Sequence, residues 1–93
     1  MHYSVSIYFL DGQNDLQDPQ YALEQKFQQA FHIHGNVVSA DLVGLDQNRP
    51  DKPRYTTKLL AGEIVSVLQP YNRIYNLEVE KIVEYTHVSC KGD

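Results

Sequence analysis

Along the first ten residues, Tyr3, Val5, Ile7 and Phe9 alternate with His2, Ser4, Ser6 and Tyr8. A period of two puts every second side chain on the same side of an extended chain, which predicts a strand with one core face. Residues 18–35 follow another rule. Leu23, Phe27, Ala30 and Phe31 recur three and four apart, with Gln20, Gln25, Lys26, Gln28 and Gln29 over much of the rest, the pattern of an amphipathic helix. Asp18 is placed to cap it, Pro19 stands where a missing N–H costs nothing, and Gly35 suits its far end. Between strand and helix, Asp11-Gly12 opens a polar connection.

After Gly35 a β-branched stretch, residues 36–45, predicts a second strand with apolar groups on both faces. Residues 46–53, with Pro50, Pro53 and mostly charged or amide side chains between, predict a loop. Residues 55–68 carry two patterns at once. Tyr55, Thr57 and Leu59 share a strand face and the β-branched content favours a strand, while Leu60, Ala61, Ile64, Val65 and Leu68 make a helical stripe. The strand is the preferred reading. Gln69 to Arg73 reads as a turn, with Asn72 tolerant of a left-handed backbone. From Tyr75 alternation returns: Leu77, Val79, Val83 and Tyr85 on one face, Glu78, Glu80, Glu84 and Thr86 on the other, in a long last strand reaching to Val88. Together these elements predict an α+β domain spanning residues 1–93, an antiparallel sheet of about four strands with one helix on one face in the order βαβββ. A helical 55–68 gives the alternative, a ferredoxin-like βαββαβ order.

Ninety-three residues bound the chain to one core. Cys90 is the only cysteine, which excludes an internal disulfide and favours a reducing compartment. The opening residues lack the basic-then-apolar pattern of a signal peptide, and no stretch has the roughly twenty apolar residues of a membrane span. The expected setting is therefore the cytoplasm. The net charge of −4 is unevenly spread, with six acids against one lysine in residues 1–48 and five bases against two acids in residues 49–74. Such a balance excludes a general nucleic-acid binder, whose affinity comes from clustered Lys and Arg.

Candidate chemistry is sparse. His32, His34, His2, His87 and Cys90 are metal-ligand types, but they lack the paired spacing of a zinc site. Asp11, at the end of a strand, stands where a metal-binding carboxylate would, with Asp15 and Asp41 as the acids that would have to join it. Cys90 has His87 three residues away, on the opposite face of a strand, so the pair lacks nucleophile–base geometry. Isolated glycines exclude a phosphate-binding loop. Catalytic residues, metal and cofactor are accordingly not assigned, and a small-molecule substrate is not expected. Two charged features remain. Arg49, Lys52, Arg54 and Lys58, with Tyr55 among them, form a basic cluster, and Glu78, Glu80 and Glu84 line one strand face. They point to a small non-enzymatic protein that binds a protein partner through its charged surface. By analogy of size and charge alone, a phage-encoded inhibitor of a nucleic-acid-handling complex, such as an anti-CRISPR, fits this description. The alternatives are a nucleic-acid-binding accessory module using residues 49–58 and a small metal-dependent enzyme built on Asp11 or the histidines.

Overall fold

A computed structural model describes residues 2–13, 15–45 and 54–83. The elements run β1 (His2–Phe9), α1 (Gln17–Phe27), β2 (His32–His34), β3 (Val37–Val43), α2 (Thr57–Leu68), a 3₁₀ turn (Gln69–Tyr71) and β4 (Tyr75–Ile82). The four strands form one antiparallel sheet in the order β2-β3-β1-β4. The fold is therefore α+β with a four-stranded antiparallel sheet, as the alternation in the sequence indicates. Its chain order is the ferredoxin-like βαββαβ, with two helices instead of one.

β1 lies between β3 and β4 and pairs with both along its length. Its Tyr3, Val5, Ile7 and Phe9 are all buried, as are Val38, Ala40 and Leu42 of β3, and Leu77 and Val79 of β4 pack against the same cluster. Both helices cover this one face, α1 through Leu23 and Phe27, α2 through Leu60, Ile64 and Leu68. Residues of both helices and of β1, β3 and β4 thus share one core.

Residues 57–68 form a helix, against the strand reading preferred from sequence. Thr56 is extended and its hydroxyl accepts from the Leu59 N–H at 3.1 Å, a side-chain cap that starts the helix. The four-residue spacing of Leu60, Ile64 and Leu68 then buries a helical stripe, which outweighs the strand preference of Thr57, Ile64, Val65 and Val67. The first helix is shorter than the 18–35 pattern suggests. It begins after Leu16 instead of at an Asp18 cap, and Asp18 sits in its first turn where a carboxylate favours the dipole. It stops at Gln28, whose backbone is left-handed and whose N–H bonds to the Glu24 carbonyl. Phe31 is still buried, but as part of the entry to β2. The Glu24 carboxylate accepts its N–H and the Gln20 amide donates to its carbonyl, so side chains satisfy what the helix has given up. Gly35 serves the β2–β3 turn with a positive φ of 59°. After the 3₁₀ turn Asn72 takes the left-handed backbone expected of it. The loop at 46–53 and the last strand beyond Val83 lie outside the described residues.

The burial pattern makes inward and outward positions of β1 separable by mutation. Ile7→Ala is expected to cost about 2–5 kcal/mol by leaving a cavity. Ser6→Ala, on the outer face, should stay within about 0.5 kcal/mol. Urea unfolding of both variants checks this, and equal costs would contradict the assignment of faces.

Candidate interaction surface

Both helices pack on one side, and among the described residues the other side of the sheet carries no helix. Its residues are the ones that alternate with the core. Strand register arranges them in rows: Val43, His2 and Ile82; Asp41, Ser4 and Glu80; then Ser39, Ser6 and Glu78 with His32 beyond; then Val37, Tyr8 and Asn76 with His34 beyond. Serines thus occupy the middle of the face, two histidines one flank, and two glutamates the other. Adjacent strands stand about 4.8 Å apart, so Asp41 and Glu80, on either side of Ser4, are held roughly 10 Å apart. Such carboxylates cannot share one ion, but they form an array. Tyr8 donates its hydroxyl to Glu78 at 3.1 Å, and the His2 imidazole lies 3.9 Å from the Asp41 carboxylate. Among the described residues this face carries Asp41, Glu78 and Glu80 and not one Lys or Arg.

β2 spans three residues, so on the side of β3 away from β1 residues 40–43 have no strand neighbour among the described residues. The Gln29 side chain fills in there, accepting from the Val43 N–H at 3.0 Å and donating to the Val43 carbonyl at 2.9 Å. Beside it opens a hollow of about 420 Å³ bordered by Ser4, Ser6, Ser39, His32, Asp41 and Gln29. The serines were not singled out from sequence, although their place opposite the core positions of β1 was readable from its alternation.

The sequence-derived binding residues are divided by the fold. Glu78 and Glu80 stand exposed on the open face. Lys58 is exposed on α2, on the helical side, and Arg54 is exposed just before that helix. Arg49, Lys52 and Glu84 lie outside the described residues. The described acidic and basic features therefore do not share a surface. Tyr55 faces inward. Its ring meets Phe27 edge-on at 6.4 Å and its hydroxyl donates to Glu63 at 2.9 Å. Burial, with the neighbouring Glu63 carboxylate, pushes this phenol up to about 12. Glu63 also meets the Lys26 ammonium at 2.9 Å, which holds its carboxyl below the usual range.

Compared with protein-family models, with curated proteins and with solved structures, the chain matches none. No helix among the described residues is long and apolar enough to cross a membrane.

The histidine and aspartate readings of a metal site find no cluster: among the described residues no group of three His, Asp or Glu side chains is gathered to hold an ion. His32 and His34 project from an exposed edge strand, not from a helix end as expected. His87 and Cys90 lie outside the described residues. Asp11 is engaged elsewhere. Its two oxygens receive Nε and Nη2 of Arg73 in a bidentate pair, and backbone N–H groups of Gln13 and Ile74 as well. Arg73 also donates to the carbonyls of Asp15 and Gln13 and lies over the Phe9 ring at 4.9 Å. Asp15 accepts from the Gln17 N–H at the start of α1, and Asp41 is on the open face, so the three acids do not converge. Sequence gave no sign of this pair, because its members are 62 residues apart.

The Arg73 guanidinium holds the Asp11 carboxyl well below its ordinary value of 3.8. A folded-state pKa depressed in this way contributes stability above the unfolded pKa and loses it as pH falls. The difference in urea midpoint between the native chain and Asp11→Asn is therefore expected to be constant above about pH 5 and to narrow below about pH 4. A difference that did not change between neutral and acid pH would contradict this role for the pair.

Proposed function

We propose that this protein is a small non-enzymatic interaction protein that engages a basic surface of a protein partner through the open face of its sheet. One observation carries the reading: the described part of that face presents Asp41, Glu78 and Glu80 with no Lys or Arg among them. A one-sign face steers association toward a positive patch and repels phosphate. A carboxylate array on a rigid strand is also pre-organised, so little ordering is lost on binding. The serine centre keeps the face low and polar, so a partner can approach the sheet closely and find hydroxyl donors and acceptors.

In its concrete form the partner is a nucleic-acid-handling complex, and the protein is an inhibitor of the phage anti-defence kind, anti-CRISPR among them. Glu78, Glu80 and Glu84 would then occupy a basic groove, while Arg49, Lys52 and Arg54 anchor the loop.

The test is a pull-down from source-cell lysate with quantitative mass spectrometry, comparing the native chain with Glu78→Lys/Glu80→Lys and with Lys58→Glu. One stoichiometric complex is expected, weakening with added salt, reduced at least about tenfold by the double reversal and retained by the lysine variant. Retention of the complex by Glu78→Lys/Glu80→Lys would refute the acidic-face reading. Salt-dependent DNA or RNA binding lost on Lys58→Glu would favour the nucleic-acid module in its place.

A further inference from the structure

The fold changes what His32 and His34 can do together. At a helix end, where the sequence pattern puts them, a spacing of two residues turns two side chains about 200° apart. On a strand the same spacing puts both on one side. β2 pairs them with Ser39 and Val37 of β3, so both rings stand exposed on the open face of the sheet. Among the described residues no hydrogen bond or ion pair engages either imidazole. The short strand that carries them is held at both ends. Before it, the N–H and carbonyl of buried Phe31 are taken by Glu24 and Gln20 of α1. After it, Gly35 makes the turn into β3.

We propose that His32 and His34 chelate one divalent transition-metal ion, through one ring nitrogen each. Strand geometry sets their Cα atoms about 6.6–6.8 Å apart. Two nitrogens at about 2.0–2.1 Å from a tetrahedral ion lie about 3.3 Å from each other. Leaning the two rings together, through the two torsions of each side chain, closes that difference. The ligand type selects the ion: imidazole suits Zn²⁺ and its transition-metal neighbours, whereas Mg²⁺ and Ca²⁺ take oxygen. Charge on the same face draws cations to the pair. Its described part carries Asp41, Glu78 and Glu80 without Lys or Arg, which raises the local concentration of positive ions. His32 also borders the hollow that Ser39, Asp41 and Gln29 share, so there is space for water on the ion. No third side chain among the described residues is gathered with the pair. The chelate therefore keeps open coordination positions, which is the arrangement of a reactive or exchangeable centre and not of a closed structural one.

Calorimetric titration of the full chain, first treated with a chelator, with Zn²⁺ and with Mg²⁺ tests this. Zn²⁺ is expected to bind and Mg²⁺ not. In NMR spectra Zn²⁺ should shift the ring signals of His32 and His34 together and leave those of His2 in place. His32→Ala and His34→Ala should each weaken Zn²⁺ binding at least about tenfold while circular dichroism stays native, because one imidazole alone makes no chelate. His2→Ala should bind as the native chain does. If one of the two chelate variants fails to fold, the other decides. A native chain that takes up no Zn²⁺ would overturn the proposal. So would folded His32→Ala and His34→Ala variants that bind as the native chain does, or binding that is lost only on His87→Ala or Cys90→Ser.

Discussion

The structure depends on the burial of one side of β1. Tyr3, Val5, Ile7 and Phe9 are 0–2% exposed, each lying under the two helices and beside side chains of the neighbouring strands. Removing such apolar surface from water is the main favourable term in a domain this small. It also fixes register, since a slip of one residue would bring Ser4, Ser6 and Tyr8 into the core. The same alternation that builds the core therefore dictates which residues make the outer face. Serines in the middle of that face and carboxylates on it are a consequence of where the apolar residues must go.

Polar contacts then tie the corners of this frame. At one end, Asn36 exchanges two hydrogen bonds with Phe9, and Arg73 clamps Asp11 and the carbonyls that follow it. At the other, the Tyr3 hydroxyl donates to the Tyr55 carbonyl, the Tyr55 hydroxyl donates to Glu63, and Glu63 meets Lys26. This second chain of contacts links the central strand to both helices. It also explains why Tyr55, placed among basic residues in the sequence, is a structural residue here. The aromatic ring supplies buried area and its hydroxyl has a fixed partner.

What the sequence disclosed follows from the range of the interactions involved. Residues 36–45 read as a strand without a distinct core face and β2 lay inside the predicted helix, whereas alternation in β1 and β4 is local and strong, so these two strands, their core faces and the α+β class were legible. So was the outward position of Glu78 and Glu80. Residues 57–68 were not, because β-branched side chains and a helical apolar stripe coexist there and only packing against β1 and β4 decides between them. The early end of α1 was hidden for a similar reason. Phe31 continues the stripe in sequence, yet it lies beyond the left-handed Gln28 and reaches the core from the residue just before β2. Asp11 shows the limit most sharply: its carboxylate is held by Arg73, 62 residues away. Opposite placement of Lys58 and the glutamates likewise emerges only from the fold.

A face with one sign of charge has a direct physical signature. Amide chemical-shift mapping of the labelled protein titrated with a short oligo-arginine peptide reads it without knowledge of the natural partner. The account requires the largest shifts around Ser4, Asp41, Glu78 and Glu80, fading as salt is raised. Shifts centred on Asp18, Glu24 and Glu63 on the helical side would contradict it.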